Sequence, residues 1–262
     1  MFLSINELRE LAALMSGRLH VDYTGYNLSF FARRLQHVFK KMGLRRAQDL
    51  KSALGSLPKD DEVNYYMTVP STELFRAPSF WRQLIKLLSE RDIKNIWVPS
   101  LSSYHELYSL MIVLDIVGKH DVAVDVNVLS DHIAADIRSL ALSKNDIELD
   151  KSNFERLQTQ HSFDEYACQS ENGSLLRSGL IDHAVITNGW FMNTDEKKYD
   201  LILFRNTLIE YKRPLHVKAV ERIMSSLRGR GSVLCLGTME RLLTSEDWFD
   251  SELAFDGIYV RK

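Results

Sequence analysis

Cysteine is scarce in this chain. There are two, Cys168 and Cys235, and neither belongs to a C-x-x-C pair. A disulfide framework and a zinc knuckle are therefore not expected, and a reducing compartment, the cytoplasm, is. Glycine is missing from Ser56 through Val117. The chain carries no P-loop, no G-x-G-x-x-G fingerprint and no G-x-S-x-G elbow. Its eight histidines make neither H-x-x-x-H nor H-E-x-x-H, so no metal site is expected. No run of about 18 apolar residues exists, so no membrane span is expected. The opening M-F-L-S-I-N-E-L-R-E-L lacks a basic stretch ahead of a long apolar core and does not read as a signal peptide. A net charge of −2 gives no global pull toward nucleic acid or acidic membrane.

The composition that remains is that of an ordinary folded globule. With 262 residues, 45% apolar and 26% charged, the chain can hold one large domain or a large one with a small partner. Residues 4–16 read as a helix opened by a Ser4–Glu7 capping box. Asn27 to Met42, ended by Gly43, reads as a second, and Gln48 to Leu54 as a short third. Residues 62–69 are ambiguous. Residues 79–90 form an amphipathic helix on Phe80, Leu84, Leu87 and Leu88.

From there strand and helix alternate. Strands are predicted at Ile93–Val98, Val122–Leu129, Ala184–Thr187, Asp200–Phe204, Ser232–Gly237 and Ile258–Arg261. Helices are predicted at Glu106–Val117, Ala134–Ser143 and Pro214–Leu227. The alternation predicts an α/β fold, with a parallel sheet covered by helices on both faces and ligands at the carboxyl ends of the strands. The polar stretch 144–183 carries Asn172-Gly173, a hairpin turn signal, and reads as an inserted subdomain or a surface excursion.

Five places put polar groups where strands end. Ser100 to Glu106 follows the first strand. Asp131 follows the second, where an acid accepts from ribose hydroxyls or merely caps a helix. Asn188 follows A-V-I-T and is a ligand contact or a turn residue. Arg205 and Asn206 follow Y-D-L-I-L-F. T-E-L-F-R, residues 72–76, precedes the amphipathic helix as a site element or a linker. The most basic stretch, Arg33 to Arg46, is a solvated face or a docking surface for an acidic partner.

Taken in order, these places resemble the chemotaxis-receptor glutamate O-methyltransferase family, the CheR-type enzymes. T-E-L-F-R is similar to the family's T-x-F-F-R. W-V-P-S-L-S-S-Y-H-E-L-Y-S-L, residues 97–110, is similar to W-S-x-x-x-S-T-G-E-E-P-Y-S-L. Ser130-Asp131 falls on the second-strand acid. Y-D-L-I-L-F-R-N-T-L-I-E-Y falls on F-D-x-I-x-C-R-N-V-x-I-Y-F, and L-C-L-G-T-M-E, residues 234–240, on L-x-x-G-H-S-E. The resemblance implies a Rossmann-like class I methyltransferase sheet at 71–262 behind a small helical N-terminal domain at 1–70. It implies S-adenosylmethionine, or its product S-adenosylhomocysteine, held by Thr72, Arg76, Glu106, Asp131, Asn188, Arg205 and Asn206. Arg76 holds the carboxylate side or orients the acceptor. The implied acceptor is a receptor glutamate, and the implied partner surfaces are Arg33–Arg46 and the insertion at 144–183.

The departures point another way. Tyr104 stands at the family's loop glycine, His105 at a glutamate and Leu107 at a proline. Pro70 replaces an asparagine, Glu210 the tyrosine beside the methyl group, and His37 and Val38 two arginines of the basic helix. Tyr104 predicts a plugged cofactor loop unless the loop takes a different path. An anionic Glu210 would attract a sulfonium and repel a glutamate. Two readings follow: an active methyltransferase, or a pseudo-enzyme kept as a ligand-sensing or docking module.

Overall fold

The computed structural model describes residues 3–170, 173–242, 248–250 and 257–262. Helix α1 (Ile5–Leu19) opens on the expected capping box, with Ser4 N–H donating to Glu7 Oε2 at 2.8 Å. Helix α2 (Leu28–Met42) buries Phe31, Leu35, Val38 and Phe39 on one face and stops where Gly43 turns left-handed. Helices α3 (Ala47–Ala53) and α4 (Leu57–Met67) follow. The ambiguous 62–69 stretch is therefore mostly the end of α4. Only Val63 and Met67, one turn apart, are buried on it, which is too sparse a stripe to announce a helix.

Helix α5 (Pro78–Glu90) leads into β1 (Asn95–Leu101), α6 (Tyr104–Ile116), β2 (Ala123–Val128) and α7 (Asp131–Arg138). The insertion holds β3 (Ala141–Leu142), α8 (Ile147–Glu155), β4 (Ala167–Ser170) and β5 (Gly173–Leu176). The chain closes with β6 (Ala184–Asn188), β7 (Leu201–Leu203), α9 (Arg213–Ser226), β8 (Val233–Cys235), β9 (Phe249–Asp250) and β10 (Ile258–Arg261). The large sheet has the order β6-β2-β1-β7-β8-β10-β9. Pairs from β6 to β8 are parallel, and β10 runs antiparallel to both β8 and β9.

The inner strands β1, β7 and β8 are short apolar runs because both faces of the sheet are covered there, whereas the edge strand β6 is largely exposed. Alternation along β1 sends Ile96 and Val98 into one core, with Leu84, Leu110 and Val126. Trp97, between them, enters the other core, with Ile202, Leu234 and Ile223 of α9. Met15 and Leu35 of the N-terminal helices belong to that second core. The helical unit thus packs on the same sheet face as α9, and each such buried side chain contributes about 1.5–3 kcal/mol. Helix α6 is apolar almost all round and buried from Leu107 to Leu114, as befits a helix with neighbours on every side. Pro99 sits inside central β1, where it cannot donate to a ladder. The strand accommodates it by a register shift between Val98 and Leu101, which carries β1 three residues beyond its predicted end.

Two expectations need correction. The helix predicted at 134–143 runs over 131–138 instead. Ser130, not Asp131, is its cap, its Oγ accepting from His132 N–H at 3.1 Å, and Ala141–Leu142 leaves to pair with β5. The insertion is no surface excursion. Strands β3, β5 and β4 form a small antiparallel sheet, and α8 buries Asp150, Asn153 and Phe154 against the main body. The turn expected at Asn172 lies outside the described residues, though the strands on either side pair antiparallel as a hairpin does.

Candidate functional site

The loops at the carboxyl ends of the parallel strands surround a cavity of about 540 Å³, a size that suits a small molecule. One wall is the β1–α6 turn with Glu106, together with Arg205 and Asn206 after β7. The opposite wall comes from α2 and the segment after α4. Four of the seven expected site residues, Arg76, Glu106, Arg205 and Asn206, line this one cavity.

The pair at its floor is Glu106 and Arg205. Arg205 Nη1 donates to Glu106 Oε1 at 3.1 Å, and the Arg205 side chain is 4% exposed. Its guanidinium lies 4.0 Å from the Phe80 ring centroid, a cation–π contact in a dry setting. Its Nε is buried without a partner. Burial pushes the Glu106 carboxyl above its ordinary value, against the pull of Arg205. Glu106 Oε2 accepts no hydrogen bond from the described residues.

The 72–76 loop is held from three sides. Leu74 N–H donates to Asp150 Oδ1 at 2.7 Å, and Asn153 Nδ2 donates to Leu74 O at 3.0 Å. Phe75 N–H donates to Ser109 Oγ at 2.8 Å, and Trp81 Nε1 donates to Arg76 O at 3.1 Å. These bonds keep Phe75 and Ala77 at φ of 52° and 60°, values that side-chain-bearing residues rarely adopt. Arg76 is 58% exposed and only loosely paired with Glu73, at 3.7 Å. Thr72 turns its hydroxyl to the Glu73 carboxylate and is not on the cavity wall.

Asp131 and Asn188 come together without joining that wall. Asn188 is the last residue of β6, and its Nδ2 donates to Asp131 Oδ1 at 3.0 Å. Sequence reasoning missed what holds them. Asp61 of α4 accepts from Asp131 N–H at 2.7 Å, from Ser130 Oγ at 2.9 Å and pairs with His132 Nδ1 at 2.5 Å. Burial pushes the Asp61 carboxyl up, yet these partners hold it below its ordinary value. No sequence signal links residues seventy positions apart.

Glu240 is the second missed residue. It is 2% exposed, and its carboxylate accepts from Asn206 and Gly237 N–H at 2.7 Å each and from Leu208 N–H at 2.6 Å. Asn206 is thereby fixed in a left-handed conformation, φ 59°. A Cβ on Gly237 would strike Asn206 Oδ1 and come within 2.9 Å of Glu240 Oε2. The signal was present: a glycine directly after a buried strand, with an acid three residues on.

The departures resolve differently from expectation. Tyr104 does not plug the cavity and is absent from its wall. It is the first residue of α6, its ring stacked on His105 at 4.0 Å and near Tyr108 at 4.9 Å. Because it sits in a helix, the position does not need glycine's freedom. His105 is buried, its proton affinity lowered to about 4 by that burial, and its Nδ1 is 3.2 Å from Ser103 Oγ. Pro70 and Glu210 do line the cavity. Glu210 is not anionic at neutral pH: burial, with Glu240 nearby and Arg34 opposing, pushes its carboxyl up to about 8. Nor is the basic helix wholly solvated. Arg33 and Arg34 line the cavity, and Arg34 Nε donates to Met67 O at 3.1 Å, capping α4. Among the described residues no group of acids, histidines and cysteines is arranged to hold a metal, and no helix is long and apolar enough to cross a membrane.

The strand order and the cavity at the carboxyl edge define a Rossmann-like class I methyltransferase. Residues 70–254 match the profile of the CheR methyltransferase, SAM binding domain. The chain belongs to that family, and it is an S-adenosylmethionine-dependent methyltransferase by family. It is similar to a chemotaxis protein methyltransferase of Listeria innocua, 27% identical over 246 residues and 88% of each chain. A protein of the same name from Listeria monocytogenes is 24% identical over 239 residues, again 88% of each. Among solved structures, the mitomycin 7-O-methyltransferase MmcR is similar at a TM-score of 0.36 and 15% identity, covering 83% of this chain and 53% of that one. The magnesium protoporphyrin IX methyltransferase ChlM of Synechocystis, with bound SAM, reaches a TM-score of 0.36 at 8% identity over both whole chains.

Proposed function

We propose that this protein transfers the methyl group of S-adenosylmethionine to a carboxylate, a glutamate side chain of a receptor in bacterial signalling, and does so in the cytoplasm. The observation that carries the reading is the convergence of Arg76, Glu106, Arg205 and Asn206 on one cavity at the sheet's carboxyl edge. Two cavity residues support the cofactor: an open carboxylate oxygen on Glu106 for the amino group and Arg76 for the carboxylate, while Asp131 and Asn188, paired with each other outside the cavity wall, would take the ribose. Thr72 completes the set through its loop. Bound S-adenosylmethionine supplies an electrophilic methyl carbon on a sulfonium. The chain's own residues supply alignment and exclusion of water, which is most of what such a displacement needs.

In this reading residues 71–262 hold the cofactor and residues 1–70 form the acceptor-side wall. Arg33 on α2 and the insertion at 144–183 are the surfaces offered to the partner. The open cavity, with Tyr104 outside it, favours an enzyme over a pseudo-enzyme. The test is transfer of tritiated methyl groups to receptor-containing bacterial membranes. Base-labile label in a protein band, lost in Arg76→Ala, supports a carboxylate ester. Cofactor binding with no transfer to any protein band would restore the pseudo-enzyme.

A further inference from the structure

We propose that Glu210 is the acceptor-reading residue of the site, presenting a carboxyl O–H to the carboxylate that receives the methyl group. This rests on the reading above that the acceptor is a carboxylate. The cavity is lined by three glutamates and four arginines, and most are already engaged. Glu106 is paired with Arg205 at 3.1 Å. Glu73 is shared between Thr72 and Arg76. Arg34 donates to the carbonyls of Tyr66, Met67 and Thr68. Glu210 alone among the three glutamates has a side chain with no hydrogen bond or ion pair to the described residues.

Its backbone, in contrast, is fixed. Glu210 O accepts from Asn27 N–H at 2.8 Å, and Glu210 N–H donates to Thr207 O at 3.1 Å. Asn27 Nδ2 also donates to Ile209 O at 3.0 Å. The side chain is therefore anchored at its root and free at its tip, on the wall facing α2. The backbone anchor fixes where the carboxyl reaches, and its unpartnered tip is available to an incoming group.

Burial and, among the groups facing it, Glu240 hold the proton on Glu210 against the pull of Arg34. From the N-terminal unit come the buried phenols Tyr23 and Tyr26, both raised by burial and un-ionised, and the already engaged Arg34. From its own segment comes Tyr211, also raised by burial. From the loop after β8 comes Glu240, whose carboxylate is filled by backbone N–H groups. Glu73, Arg76, Glu106, Arg205 and Arg33 look into the same cavity. A neutral carboxyl donates to an acceptor carboxylate and leaves that carboxylate's charge on the nucleophile. No proton changes hands, because the acceptor is the stronger acid of the two. Once ionised, Glu210 repels the same acceptor.

The test uses full-length protein saturated with S-adenosylhomocysteine, titrated with N-acetyl-glutamyl amide and followed by NMR. Between pH 6.5 and pH 9 the wild type should lose affinity by about tenfold, since about a tenth of a carboxyl titrating near 8 keeps its proton at pH 9. Glu210→Gln, a neutral donor at every pH, should bind equally at both. Equal binding by the wild type at both pH values, the same loss in Glu210→Gln, or no binding of the probe at pH 6.5 would each overturn the assignment. Failure of S-adenosylhomocysteine to bind would instead count against the methyltransferase reading itself, so the two failures are distinguishable.

Discussion

Replacing Glu240 by glutamine tests the architecture of the site without touching the cavity wall. The Glu240 carboxylate accepts four backbone N–H groups. Oε2 takes Asn206 and Gly237 at 2.7 Å each, and Oε1 takes Leu208 at 2.6 Å and Ile209 at 3.3 Å. Glutamine keeps one oxygen and turns an NH₂ toward the other two donors. Two hydrogen bonds to a charged acceptor contribute about 1.5–3 kcal/mol each, and their donors are left facing a donor. Part of that loss is returned, because burial already raises the Glu240 carboxyl above its ordinary value and the amide carries no charge to desolvate. A net destabilisation of about 2–4 kcal/mol follows. For a chain of this size that lowers Tm by about 5–12 °C. Asn206 and Arg205 sit on the segment released, so affinity for S-adenosylhomocysteine should fall at least tenfold. Thermal denaturation and calorimetric titration read the two effects. A Tm within 2 °C of wild type together with unchanged affinity would refute the claim that Glu240 holds this edge of the site.

Tyr104→Gly should leave S-adenosylhomocysteine affinity within twofold of wild type while costing about 2–4 kcal/mol of stability, from the lost stack on His105 and a glycine in a helical turn; a large gain in affinity would mean that the ring does obstruct the site. Asp150→Asn should stabilise the protein at pH 8. The Asp150 carboxyl is raised to about 6, chiefly by burial, with Leu74 N–H pulling the other way. A carboxyl raised on folding adds stability at low pH that is lost as pH climbs from about 4 through 6. Asparagine keeps an acceptor for Leu74 N–H and removes the ionisation, so a gain of about 1–3 kcal/mol is expected at pH 8 and none at pH 4, read by urea denaturation at both.

Much of the fold could be read from residue pattern, and the reasons are particular. Y-D-L-I-L-F and the run from Val122 to Leu129 are rich in apolar residues because most of their side chains are buried, and each strand lies inside the sheet with a neighbour on either side. The capping box at Ser4 and the glycine at 43 mark helix ends by local chemistry alone. Helix α4 escaped because its role is to carry Asp61 and Tyr65 toward α7, not to bury a stripe. The polar ring of the site was visible as residues at strand ends, and four of its seven members line one cavity. What no pattern could supply was direction and charge state. The turn into α6 sends the Tyr104 ring toward His105 and Tyr108, away from the cavity. Burial beside Glu240 makes Glu210 a neutral group. Asp61 acts on a backbone N–H group through a folded contact that leaves no mark in composition or spacing, whereas Glu240 was marked only by a glycine three residues before it.

The central claim is that this edge of the sheet is an open cofactor site, and calorimetric titration of the purified protein with S-adenosylhomocysteine tests it most directly, since no acceptor is needed. One site with micromolar or tighter affinity is expected, weakened in Glu106→Gln and unaffected in Tyr104→Gly. No detectable heat from a protein whose fold is intact by circular dichroism would contradict it.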